Sequence, residues 1–565
     1  MENLAKQAYE SYKKLSAKPF TSMTTVNLNV LYNILCRAKR EDAYRDALKA
    51  HKTDEGEDVI SLVEKYFDDY NAQYGLEIRD TLTEFSDQSL AAGSYFMITT
   101  YKILSDGDRV ETAPTEFAKG DTALVNATLY SHADDTPATS PKLHAIWLND
   151  NAESGEAAAE NSTCIEFELT LDREGCTKFK VIAEDENGKA ITGSETAYGG
   201  IVFSLSEIKS THASPSDLLE FWDKEIERMY NVDPKSIASD GYEGEVKWLF
   251  DMPEKNFYSI KKLGERDFDA LLQNKLSAPD KAMLEVYDFY EIYLKCPGPC
   301  HASAYLTIPK GKEKKSLPIL ISYDGYGTFS PPIALCEDKI RFHCTHHGYE
   351  LGHARKDYYA LLGGDGCILS AYGSGENRPN AGYDNLSDCY MLYLNLRNLQ
   401  AVRYITDPNL SGDICSLHEI WNGEIEFLGG SMGGYQAICT SALSSLLKKR
   451  GAEFNITLTS ANIPAYCNLA GLSDKRIPHI VKTYKSGMDY FDPAILARLI
   501  ENPVTVPRVG LGDEACPATT IIAFFNSLGE GVKRDISFLQ NSSHGYVPKT
   551  SAQAWYRYSY PEKTI

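Results

Sequence analysis

From about residue 208 to the carboxyl terminus, short apolar runs recur between helical stretches: "SAYLTI", "LPILIS", "GCILSAY", "IEFLGG", "ITLTSA", "TVPRVGL" and "DISFLQ". A strand buried on both faces reads as near-continuous apolar sequence, and parallel neighbours need a crossover, usually a helix, between them. This alternation confines residues 208–565 to an α/β domain with a parallel sheet covered on both faces. The segment opens with "SPSDLLEFWDKEIERM", where Ser214 is placed to cap and Pro215 suits the first helical position. Leu218, Trp222, Ile226 and Met229 then share one helical face.

The chain ahead of this domain has other periods. Residues 1–82 read as a helical N-terminal region, with Leu28, Leu31, Ile34 and Leu35, and then Ile60, Val63, Tyr66 and Phe67, at helical spacing. Over 83–207 the period becomes two: Ile165, Phe167, Leu169 and Leu171 alternate with Glu166, Glu168 and Thr170. The runs "TALVNATLY" and "KLHAIWL" and the Asn187-Gly188 turn complete the expectation of a small immunoglobulin-like β-sandwich. At 565 residues the chain has room for three such units.

Charge narrows the partners. With 79 acidic against 57 basic residues the net charge is −22, and no basic run offers a phosphate-binding face, so nucleic acid is not expected as a partner. The 13 cysteines show neither a disulfide framework nor paired zinc-ribbon spacing. No apolar run of membrane-spanning length occurs and "MENLAKQAYESYKKL" lacks a signal-peptide core, so the expectation is a cytoplasmic protein without a membrane partner.

Within the α/β domain the stretch "IEFLGGSMGGYQAI" places Ser431 in G-x-S-x-G between a strand and a helix, the setting of a nucleophile elbow. Glycines at 429 and 433 are what a tight, crowded turn demands. A serine hydroxyl needs a base, and the base an orienting carboxylate, in the chain order Ser, acid, His. Only His479 and His544 follow Ser431; His544 lies on a loop after a strand, whereas His479 reads as part of a helix. Asp513 follows the strand "TVPRVGL" at the sheet's carboxyl edge, with Glu514 as its rival. An oxyanion needs two N–H donors: Met432, after the nucleophile, supplies one, and the "DGYG" loop offers Gly325 or Tyr326 for the other.

The segments "SPSDLLEFWDK", "ISYDGYG", "YLNLRNLQAVRYI", "FLGGSMGGYQAI", "YFDPAILARLI", "VGLGDEACPATTIIAFFNSL" and "SSHGYVP" occur in the order and spacing of the acetyl xylan esterase/cephalosporin C deacetylase family, which residues 208–565 resemble. The resemblance implies an α/β-hydrolase serine esterase that removes O-acetyl groups from small carbohydrates through an acyl-serine intermediate, with Ser431 as nucleophile, His544 as base, Asp513 as orienting acid and Tyr326 beside Met432 in the oxyanion hole. It implies no cofactor, and it leaves a homo-oligomer open as the assembly. The chain departs from the family at His347-Gly348-Tyr349, where the family has Arg-Gly-Gln, and at His544-Gly545, where it has His-Glu.

Two other functions stay open on sequence alone: a peptidase of prolyl-peptidase type on the same fold, and a catalytically weakened carbohydrate-binding protein. The cluster His343, Cys344, His346, His347 and His353 has zinc-ligand residue types but matches no common zinc spacing, so no metal is expected there.

Overall fold

The computed structural model describes residues 2–17, 20, 25–53, 56–74, 93–133, 135–210, 212–235, 260–273, 279–298, 301–327, 332–345, 351, 383–478, 481, 483–549 and 552–560. The described residues begin with four helices, Glu2–Ser16, Thr25–Arg40, Asp42–Ala50 and Val59–Tyr74. Leu28, Leu31, Ile34, Val63, Tyr66 and Phe67 are buried in a core of their own with Ala5, Leu48 and Val59, as residues recurring on one helical face must be. The expected passage from helix to strand near residue 82 lies outside the described residues.

Eight strands follow: β1 (Ser94–Ile103), β2 (Arg109–Glu111), β3 (Thr122–Ser131), β4 (Ser140–Asn149), β5 (Ser154–Ser162), β6 (Cys164–Thr170), β7 (Gly175–Glu184) and β8 (Ala197–Phe203). They form two four-stranded sheets, β2-β1-β3-β6 and β5-β4-β7-β8, antiparallel throughout. In β6, Ile165, Phe167 and Leu169 enter the shared core while Glu166, Glu168 and Thr170 stay exposed, the alternation of a strand with one wet face. At the Asn187-Gly188 turn only Gly188 has a positive φ, and the returning chain makes a single bridge, Glu184 to Ala190, in place of a full hairpin.

Among the described residues, ten further strands make one sheet: β9 (Ile260–Lys262), β10 (Tyr287–Leu294), β11 (Ala302–Pro309), β12 (Leu317–Tyr323), β13 (Ile340–Cys344), β14 (Trp421–Gly430), β15 (Asn455–Asn462), β16 (Val504–Gly510), β17 (Arg534–Gln540) and β18 (Ala554–Tyr560). Their order is β18-β17-β16-β15-β14-β12-β13-β11-β10-β9. The strands from β13 to β17 are parallel, but both edges are antiparallel. The sheet is therefore mixed rather than wholly parallel, because antiparallel strands need only a turn between them and can close an edge without another helix. The expected strand "GCILSAY" lies outside the described residues. The helix after Pro215 begins at Leu218 rather than at the proline, with Asp217 at its N-cap position, and still buries Leu218, Trp222, Ile226 and Met229.

The helices Tyr390–Thr406 and Met432–Lys449 are buried over nearly their whole length. The exchange of β12 and β13 in the sheet order, with β14 feeding the buried helix at Met432, is the arrangement of an α/β-hydrolase. Among the described residues, no helix is long and apolar enough to cross a membrane.

The sandwich is joined to the α/β domain by a buried ion pair with Arg476, in the loop that follows β15. Arg476 Nη1 lies 3.3 Å from Asp150 Oδ2 and donates to the Glu174 carbonyl at 2.7 Å, while its Nη2 reaches the Glu174 carboxylate at 2.9 Å. Asp150 also accepts from the N–H groups of Ile477 and Cys176. Burial pushes the Asp150 carboxyl up, with Arg476 acting against it. Asp150→Ala is expected to destabilise the protein by about 3–5 kcal/mol, because removing one partner leaves a buried charge short of compensation. Urea unfolding followed by fluorescence measures it. A loss below about 1 kcal/mol would put the pair in the class of surface ion pairs.

Candidate active site

The carboxyl ends of β12, β14, β16 and β17 carry the residues that the sequence singled out. At the end of β14 the chain turns through Ser431, φ 56° and ψ −120°, straight into the helix Met432–Lys449. A non-glycine residue in this region costs of order 1–3 kcal/mol and needs its surroundings to hold it. Here the Ser431 N–H donates to the Asn462 carbonyl at 3.0 Å, and the Ser431 carbonyl accepts from Tyr435 and Ala465 at 3.1 and 3.0 Å. The flanking glycines are forced by space: a Cβ at Gly429 would lie 2.2 Å from the Gly433 backbone, and one at Gly433 would lie 2.2 Å from the Tyr323 carbonyl.

Ser431 Oγ is 3.0 Å from His544 Nε2, and His544 Nδ1 is 2.9 Å from Asp513 Oδ2. The other Asp513 oxygen accepts from the N–H groups of Ala515 and Cys516, both at 2.8 Å. Asp513 is buried and its neighbour Glu514 exposed, so the structure brings Asp513 rather than Glu514 to the imidazole. The hydrogen bond to Asp513 raises the His544 pKa above its ordinary value against the opposing effect of burial. His544 sits in the turn after β17, and its carbonyl accepts from Arg508 Nη2 at 3.2 Å.

The loop after β12 runs beside Ser431: a Cβ on Gly325 would be 3.8 Å from Ser431 Cβ. Tyr326 is half-buried against the main core. Met432 opens its helix, so its N–H belongs to the first-turn amides that lack an intrahelical acceptor. Asp324 anchors the loop from below, with Oδ2 2.8 Å from Nε2 of the buried His343 on β13. The sequence grouped His343 with possible zinc ligands; the structure pairs it with Asp324. The adjacent β12 and β13 register, Ser322 opposite His343, is what makes that pair, and no local pattern announces it.

Cys516 is a second residue that sequence reasoning missed. Its buried thiol lies beside Asp513 and His544, and burial and the Asp513 charge push its pKa up. Among the described residues, Asp513, Cys516 and His544 bring ligand-type atoms within 4.8 Å of one another. Both Asp513 oxygens and His544 Nδ1 are already engaged in hydrogen bonds, which is the pattern of a proton relay rather than of an open ligand set. His346, His347, Gly348, Tyr349, His353 and His479 lie outside the described residues. Nothing would meet a Cβ at Gly545 within 4 Å, so space does not dictate glycine after His544.

Residues 404–561 match the family model described as acetyl xylan esterase (AXE1). No curated protein matches the chain. Among solved structures it is similar to acetyl xylan esterase 1 from Thermoanaerobacterium sp. JW/SL YS485, at 18% identity and a TM-score of 0.40, over 61% of this chain and 94% of that one. It is likewise similar to the acetyl xylan esterase from Paenibacillus sp. R4, at 16% identity and a TM-score of 0.40, over the same shares. The acylaminoacyl peptidase of Pyrococcus horikoshii is similar at 11% identity and a TM-score of 0.31, over 80% of this chain and 63% of that one. It is the family model that carries the likeness: residues 404–561, the stretch that holds Ser431, Asp513 and His544, are similar to the acetyl xylan esterase family.

Proposed function

We propose that this protein hydrolyses O-acetyl esters of carbohydrates, with Ser431, His544 and Asp513 as nucleophile, general base and orienting acid. The observation that carries the reading is the unbroken relay from Ser431 Oγ through His544 to Asp513, at 3.0 and 2.9 Å. In the first half-reaction Ser431 Oγ attacks the acetyl carbonyl and His544 Nε2 takes its proton. The N–H groups of Met432 and Tyr326 receive the oxyanion. His544 then gives the proton to the departing sugar hydroxyl, leaving acetyl-Ser431. Water, deprotonated by His544, attacks that ester and releases acetate and the free serine. The match of residues 404–561 to the acetyl xylan esterase family model supports the carbohydrate ester as substrate class, and the direct test is acetate release from acetylated oligosaccharides.

Ser431→Ala should leave a folded protein with activity near background, since the covalent attachment point is gone. An organophosphonate should label the wild type once and the variant not at all. Persistent labelling of the variant places the nucleophile elsewhere.

The pH dependence follows from His544. It acts as a base only when neutral, and Asp513 raises its pKa, so kcat/KM should climb with pH through a midpoint above the ordinary imidazole value. Asp513→Asn removes the stabilising charge and should move that midpoint down while lowering the plateau. An unchanged midpoint in Asp513→Asn argues for a different partner.

Acyl size is the third test. The close approach of the Gly325–Tyr326 loop to Ser431 supports a site that takes a methyl group and little more. Overpacking a longer chain costs about 1–3 kcal/mol, or roughly one to two decades in rate. Nitrophenyl acetate should therefore exceed the butyrate by roughly tenfold or more in kcat/KM. Equal rates, or cleavage of a proline-containing peptide, would count against a dedicated deacetylase.

A further inference from the structure

The turns that carry Asp513 and His544 are held from outside the α/β-hydrolase sheet. Gln540, the last residue of β17, is buried and pairs its side-chain amide with the backbone of one residue of β8: Oε1 accepts from the Gly200 N–H and Nε2 donates to the Gly200 carbonyl, both at 3.0 Å. Asn541 has φ 57° and is also buried. Its Nδ2 donates to the Phe96 carbonyl in β1 at 2.9 Å, and its Oδ1 accepts from the Tyr198 N–H in β8 at 3.0 Å. Since β1 and β8 belong to different sheets, Asn541 is a polar wedge between the two layers of the sandwich.

Beyond His544 the contact resumes. The Tyr546 hydroxyl donates to Glu195, whose other oxygen lies 2.9 Å from His132 Nε2, and the Tyr546 ring lies against Tyr198. The acid loop is gripped by backbone. A Cβ at Gly512, one residue before Asp513, would lie 2.3 Å from the Tyr198 carbonyl carbon, and one at Gly200 would lie 2.4 Å from the Leu511 carbonyl oxygen. The two loops are tied together where the Gly512 N–H donates to the Ser542 carbonyl at 3.0 Å.

Ser431, by contrast, is held by Asn462 and Ala465 of the hydrolase domain itself. We infer that the β-sandwich is a positioning element of the active site, with β8, Gln540 and Asn541 setting where His544 stands relative to Ser431. The inference rests on the reading of Ser431 and His544 as nucleophile and base. Directional hydrogen bonds to buried peptide groups suit the task, because a small displacement leaves both partners unsatisfied. Imidazole displacement of about 1 Å can cost on the order of a hundredfold in rate.

The test uses the full chain. Asn541→Gly fits the left-handed backbone without strain, so it removes the wedge contacts alone. Tyr546→Phe is a second, milder variant that removes only the hydroxyl contact to Glu195. Val181→Ala, in the sandwich core, is the control that destabilises the sandwich without touching these contacts. Well below the melting temperature, Asn541→Gly should lose about ten- to a hundredfold in kcat and in the rate of organophosphonate labelling of Ser431, with KM within about threefold. Tyr546→Phe should lose about three- to tenfold in the same two rates. Val181→Ala should keep the wild-type rates even though it melts earlier. Wild-type labelling rates in both Asn541→Gly and Tyr546→Phe overturn the inference, and so does activity that falls in all three variants in proportion to lost stability. A wild type that is not labelled at Ser431 overturns the underlying reading of the nucleophile instead, and the two failures are told apart by that one measurement.

Discussion

The backbone of Ser431 is the constraint on which the rest of the molecule turns. Its φ of 56° and ψ of −120° are tolerated only because three hydrogen bonds fix its peptide groups and because neighbouring backbone passes close to Gly429 and Gly433. That closeness requires β12, β14 and β15 side by side and in register. The strain sits at the point where a strand becomes a buried helix, so the hydroxyl projects from the sheet while the first free amides of the helix face the same space.

The other two members of the relay come from neighbouring strand ends, Asp513 after β16 and His544 after β17. Parallel strands deliver their carboxyl ends to one edge of the sheet, so residues far apart in sequence meet at hydrogen-bond distance without any long loop. Asp513 is buried with both oxygens engaged, and its charge is directed at the imidazole rather than shared with solvent. The net charge of −22 is compatible with the proposed chemistry, since a neutral carbohydrate ester needs no electrostatic steering.

What the sequence discloses is local. Ser431, Asp513 and His544 could be read because each directly follows a strand with a strong apolar signal, and β11, β12 and β14 to β17 were recognisable for the same reason. Strands β9, β10, β13 and β18 were not. In β18, "AWYRYSY" mixes aromatic and charged residues and is half-exposed at the sheet edge, and in β13 "IRFHC" is short, with its histidine read as a ligand candidate. Asp324 with His343, and Cys516 beside His544, depend on register and on side-chain placement that no spacing encodes. The glycines at 200 and 512 were equally silent: their need for space arises from the sandwich lying against the hydrolase loops, a tertiary fact.

The wedge at Asn541 also has a meaning in time. Phe96 and Asn541 are 445 residues apart, and Gly200 and Gln540 are 340 apart. A chain made from its amino terminus can complete the sandwich, whose strands pair over short distances, long before its partner segment exists. The contacts that align the imidazole are among those of longest loop closure, and such contacts come late. The nascent molecule thus carries an assembled receptor awaiting residues 540 and 541. On this reading the imidazole comes into line only once that segment has been made, rather than strand by strand.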